Sequence, residues 1–127
     1  MGILLREIER TEEIIYKITG FRPNLFRPPW GVVMPWVKKR ILKRGYKLVL
    51  WDIDTQDWKK LAGEEIARKV KEEARDGAIV LLHDGDDVRK LEEKNNTLEA
   101  LNILLPELVS LGYEFPTLSP NRIIGTE

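Results

Sequence analysis

The 127 residues suffice for one hydrophobic core and are too few for two ordinary domains. Hydrophobic residues at 43% and charged residues at 33% exclude a disordered tail and a membrane-embedded chain. Lys plus Arg equals Asp plus Glu at 21 each, so no long-range field recruits nucleic acid or an anionic membrane, and the lack of cysteine excludes disulfides, thiolate metal sites and a thiol nucleophile.

The opening MGILLREIERTEEII interrupts its apolar positions with charges from Arg6 onward, unlike an export signal. No run approaches the ~18 apolar residues of a membrane span. As written, the chain reads as cytoplasmic; an upstream segment would open the cell envelope or the exterior to it. A first helix is expected over residues 3–18, with Ile3, Leu4, Ile8, Ile15 and Ile18 on one face. A short strand at Leu25–Phe26 leads into the loop FRPPWG. The second helix starts near Pro35, where a missing N–H does no harm, and runs through WVKKRILKR. A strand over Lys47–Trp51 then enters the loop WDIDTQDW. A third helix, Glu64 to Arg75, precedes a strand at Ala78–Leu82 and the loop LLHDGDD. The fourth helix follows an Asn96-Thr97 cap through LEALNILLPELVSL, with Pro106 marking a kink or a late start. A strand over Tyr113–Pro116 follows. Gly20, Gly45, Gly77 and Gly112 each separate a helix-patterned run from an apolar stretch.

Helix and strand thus alternate along one unit, and AIVLL is apolar at every position, as strands covered on both faces tend to be. The expected class is α/β, with βα units and a mainly parallel sheet. In such folds ligands sit at the carboxyl ends of strands, which directs attention to the three loops.

In FRPPWG two prolines stiffen the backbone and aim Arg27 and Trp30; a plain packing loop would look the same. WDIDTQDW holds Asp52, Asp54 and Asp57 between Trp51 and Trp58. It does not read as a calcium loop, because its sixth position is Asp57 rather than glycine and no glutamate occupies the twelfth. The functional reading is an aspartate that orients an imidazole and favours its charged form, beside an aromatic wall for a sugar or acyl group. His83 is the only histidine. A lone imidazole is commonly a satisfied polar group at a core margin, but its place at a strand's carboxyl end favours function. One histidine with Asp84, Asp86 and Asp87 gives no familiar metal spacing. The tract EEKNNTLE reads as a solvated loop and helix start.

FRPPWG, DTQDW and LLHDG, in that order on successive strands, resemble the polysaccharide deacetylases of carbohydrate esterase family four. The resemblance extends over essentially the whole chain, including LREIERTEEIIYKITGFRPNLFRPPWG at the front and TLEALNILLPELVSLGYEFPTLS at the end. It implies a partial distorted (β/α) barrel and removal of N-acetyl groups from acetylated polysaccharide or oligosaccharide. By the same resemblance Arg27 pairs with a catalytic-base aspartate, and the Trp30 backbone N–H helps hold the oxyanion. Asp57 tunes the histidine, Trp58 and Leu81 line the acetyl pocket, and His83 is the general acid that protonates the leaving amine. The family also carries a T-F-D-D-G-like motif and an H-S-x-x-H motif, which supply the base and the ligands of zinc or a similar metal. Neither is present here. The expectation is therefore the C-terminal portion of such a domain, without a metal ligand set and catalytically incomplete alone. Its expected partners are a second copy through open sheet edges, or a complementing N-terminal fragment. The alternative is a non-catalytic remnant that binds carbohydrate or a partner through Trp30, Trp51 and Trp58.

Overall fold

A computed structural model describes residues 3–59, 61–85 and 95–118. The chain divides into two compact units, Met1–Leu50 with Leu118–Glu127, and Trp51–Thr117.

The first unit holds helix α1 (Ile3–Thr19), strand β1 (Leu25–Phe26), a 3-10 turn at Pro29–Gly31, helix α2 (Pro35–Lys43) and strand β2 (Lys47–Leu48). β1 and β2 pair in parallel, Leu25 opposite Lys47 and Phe26 opposite Leu48. Pro35 opens α2 as its sequence position suggests, because a first-turn residue needs no N–H partner. The core of this unit is Leu5, Ile8, Val37, Ile41, Tyr46 and Leu48, with Phe26 and Val33 packed against it. Of the apolar face expected on α1, only Ile8 is buried; it joins Leu5, whereas Ile3, Leu4, Ile15 and Ile18 are exposed. The contact is one turn wide, so the stripe that meets the core is narrower than the apolar pattern. Polar groups of α1 do the remaining docking: Glu9 accepts from Arg44 at 2.8 and 3.0 Å, and Glu12 accepts from the Tyr46 hydroxyl.

The second unit holds β3 (Ile53–Asp54), a 3-10 turn at Asp57–Lys59, α3 (Gly63–Glu73), β4 (Val80–Leu81) and α4 (Asn95–Ser110). β3 and β4 pair in parallel, Ile53 opposite Val80 and Asp54 opposite Leu81. Ile53, Ala67, Val70, Leu104 and Leu108 form its core. α3 has no side-chain acceptor at Ala62, but Glu65 Oε2 accepts from the Ala62 amide at 3.2 Å, which is half of a capping box.

Several expected boundaries move. The strand Lys47–Trp51 stops at Leu48, and the new pair begins at Ile53, inside the stretch read from sequence as loop. Ala78–Leu82 contributes only Val80 and Leu81 to the ladder. Tyr113–Pro116 is not a strand: the Tyr113 amide donates to the Leu108 carbonyl at 3.0 Å across Gly112 (φ +88°), closing the end of α4. That bond is the long link of a Schellman closure, so the amide is already committed. α4 runs through Pro106 rather than starting late. The Asn96-Thr97 pair lies inside α4 and not at its cap. The parallel pairs and helices fit part of a (β/α) fold, without a closed barrel among the described residues.

Candidate active site

The second unit builds one site at the carboxyl ends of β3 and β4. After β3, the Gln56 amide donates to Asp54 Oδ1 at 3.1 Å, and Gln56 takes the left-handed conformation with φ +56°. That conformation costs a non-glycine residue roughly 1 kcal/mol, and it reverses the chain within one residue. The reversal turns Asp57 inward, 2% exposed, and leaves Trp58 half exposed. Thr55 is fully buried and donates its hydroxyl to the Leu81 carbonyl at 2.8 Å, tying the ends of the two strands together. His83, two residues beyond Leu81, is thereby brought onto Asp57.

The Asp57 carboxylate divides its contacts between its oxygens. Oδ1 lies 2.7 Å from His83 Nδ1. Oδ2 accepts from the His83 backbone N–H at 2.8 Å and from the Thr97 hydroxyl at 2.9 Å. Burial by itself pushes the Asp57 carboxyl up, but the His83 amide, the His83 ring and the Thr97 hydroxyl outweigh it and hold it below the ordinary range. Asp57 is therefore ionised at neutral pH and accepts, so the imidazole proton facing it sits on Nδ1. Nε2 is left at the opposite edge of a ring whose side chain is 37% exposed. Such a pair can hand a proton outward from Nε2 while the buried carboxylate stabilises the charged ring.

An open cleft of about 590 Å³ adjoins the imidazole, lined by Leu82, His83, Asp84, Asn95, Thr97, Leu98 and Leu101. Its size is in the range of small-molecule sites. The leucines lining it are Leu82, Leu98 and Leu101, whereas sequence reading pointed to Trp58 and Leu81. Trp58 instead carries the Lys59 ammonium 5.2 Å from its ring centre, and Leu81 lies in β4 with its carbonyl held by Thr55. Trp51 is half-buried. In the first unit, Arg27 donates to the Leu50 carbonyl at 3.2 Å. Trp30 is 91% exposed, with a left-handed backbone (φ +54°) that opens directly onto Gly31 (φ +70°).

The three carboxylates of WDIDTQDW go three separate ways. Asp52 takes Arg75 at 2.8 Å and the Ile79 amide at 2.8 Å, Asp54 turns back on Gln56, and Asp57 holds His83. Among the described residues no three His, Cys, Asp or Glu side chains gather as a metal site. With one histidine, and its Nδ1 committed to Asp57, these residues do not fit a zinc centre. Asp86 and Asp87 lie outside the described residues. Thr97 and Thr55 were missed as site residues: each reads locally as a cap or a strand-end residue, and Thr97 reaches a partner 40 positions away.

An imidazole–carboxylate pair lies at the carboxyl ends of two parallel strands, and comparison with known proteins gives the family. No protein-family model matches the chain. It is 37% identical over 112 residues to the peptidoglycan-N-acetylglucosamine deacetylase PgdA of Listeria monocytogenes, which covers 88% of this chain and 22% of that protein. Its fold matches a family 4 carbohydrate esterase from Streptomyces lividans, solved with acetate, with TM-score 0.75 and 31% identity over 91% of this chain and 55% of that one. It also matches a pseudoenzyme of the same family from Bacillus anthracis, with TM-score 0.69 and 27% identity over 84% of this chain and 34% of that one. By sequence and fold, the chain belongs with the polysaccharide deacetylases of carbohydrate esterase family four and corresponds to part of their domain. It spans about half the length of the solved relative from Streptomyces and about a fifth of the Listeria protein.

Proposed function

We propose that this chain supplies the proton-donating side of a deacetylase site that removes N-acetyl groups from carbohydrate. The observation that carries the reading is the His83–Asp57 pair, with Nδ1 held at 2.7 Å by a buried carboxylate in a ring that is 37% exposed. In this reading, collapse of the tetrahedral intermediate breaks the C–N bond as His83 Nε2 gives its proton to the departing amine nitrogen. Acetate and a free amino sugar result, and His83 is left neutral. Asp57 stabilises the charged ring before transfer and keeps its orientation after it. The family resemblance alone supports parts for the Trp30 backbone N–H at the oxyanion, for Trp58 as an apolar wall and for Arg27 beside the base aspartate. The base and the metal ligands of the complete family site come from residues other than these.

The similarity to family deacetylases supports an acetylated polysaccharide such as peptidoglycan as substrate. β1, β2, β3 and β4 each have one paired neighbour among the described residues. Their open edges, with the exposed apolar side chains of α1, are where a second copy or a complementing fragment seats. Mixing the chain with a fragment carrying the Asp-Asp and H-S-x-x-H motifs, with a divalent metal, is expected to release acetate from N-acetylglucosamine oligomers. His83→Ala is expected to abolish the gain. Saccharide binding without metal that survives His83→Ala but not Trp58→Ala would instead favour the remnant reading, to which the similar pseudoenzyme lends support.

A further inference from the structure

We propose that Thr97 is a positioning residue for the His83–Asp57 pair, the third member of a Thr–Asp–His relay, whose hydroxyl holds Oδ2 so that Oδ1 keeps facing Nδ1. Its part in catalysis rests on the reading of His83 as the general acid; its effect on the imidazole does not.

Thr97 opens the buried stripe of α4, followed by Ala100, Leu104 and Leu108 at helical spacing. A hydroxyl in such a stripe is costly unless it is hydrogen-bonded, so a valine would fill the same volume more simply. A helical threonine ordinarily bonds back along its own helix. In α1, Thr11 donates to the Glu7 carbonyl at 2.8 Å and Thr19 to the Ile15 carbonyl at 2.9 Å. Thr97 is the third residue of α4, with no carbonyl of its own helix three or four positions behind it, and its hydroxyl turns across to Asp57 Oδ2 at 2.9 Å. The same turn of α4 is anchored beside it, where Asn96 Nδ2 donates to the Leu61 carbonyl at 2.7 Å.

The geometry gives the hydroxyl a definite task. A carboxylate held only through Oδ1 can rotate about its Cβ–Cγ bond and present either oxygen, at varied angles, to the ring. Two donors on Oδ2, one from the His83 backbone and one from Thr97, remove that freedom. The backbone donor belongs to the residue being oriented, so Thr97 is the donor that ties the carboxylate to an independent element.

A single histidine makes the test unambiguous. With the chain labelled by 15N histidine, ring nitrogen shifts at alkaline pH report which nitrogen of the neutral imidazole holds the proton. In the wild type we expect the Nδ1–H form. Thr97→Val is expected to shift the ring toward the mixture of an unrestrained imidazole, in which Nε2–H predominates, and Thr97→Ser to restore Nδ1–H. A folded Thr97→Val protein with the wild-type tautomer overturns the proposal, leaving Thr97 as filling only. Should Thr97→Val not fold, the wild type decides. A slowly exchanging Thr97 hydroxyl proton with a cross-peak to the His83 amide proton supports the relay, and a hydroxyl in free exchange with water overturns it. None of these readouts needs deacetylase activity, so failure of the relay and failure of the functional reading remain distinct.

Discussion

Asp57 is where burial and function compete most directly, because a carboxylate at 2% exposure survives only through the donors around it. Its folded-state carboxyl lies below the ordinary value, so its contribution to stability is fully present above the unfolded value near 4. That contribution is lost as pH falls through the lower folded value. Asp57→Asn removes the charge and turns an amide donor toward either His83 or Thr97. We expect it to cost about 2 kcal/mol at neutral pH and to flatten the loss of stability below pH ~4, as urea midpoints at neutral and acid pH will show. Tyr46 gives the opposite sign. Burial first, and then the hydrogen bond to Glu12, push its phenol up to about 12. Its contribution is full below the unfolded value near 10 and fades as pH rises toward 12. Tyr46→Phe is expected to weaken that alkaline loss in thermal melts. At this scale the sequence disclosed His83 and Asp57, because a lone histidine and an aspartate-rich loop stand out. It concealed Thr97, whose partner is set by how α4 packs and not by any neighbour in the chain.

The helices were the legible elements. α1 and α2 fall where apolar spacing and Pro35 place them, and α3 begins one residue before Glu64. The strands were harder to read because each keeps only two ladder residues, too few for a period of two to stand out. β3 was hidden inside an acidic loop, and the Tyr113 run was misread because its amide serves the closure of α4. The start of α3 yields a prediction of its own. A Cβ at Gly63 would come within 2.5 Å of Glu99 Cγ and 2.7 Å of its Cβ on α4. Gly63→Ala would normally favour a helix, but here it forces α3 and α4 apart. We expect a net loss of about 1–2 kcal/mol in urea unfolding, recovered in part by Glu99→Ala, which frees the Cγ position.

Among the described residues, two small apolar cores hold the two units, one in each. The first leaves large apolar side chains in solvent: Ile3, Ile18 and Phe21 are each between 74% and 79% exposed. Apolar surface of this kind seeks a partner. Light scattering is expected to show association that grows with concentration and weakens when Ile18 and Phe21 are replaced by Lys; a monomer at every concentration would contradict an association surface there.

Protonation of the leaving amine by His83 can be isolated by comparing two leaving groups in the complemented protein. An amine is a poor leaving group and needs its proton, whereas 4-nitrophenolate departs without one. His83→Ala is expected to lower acetate release from N-acetylglucosamine oligomers by roughly 10²- to 10⁴-fold and to leave hydrolysis of 4-nitrophenyl acetate nearly unchanged. Equal losses on both substrates would contradict it and assign His83 a role earlier than departure of the amine.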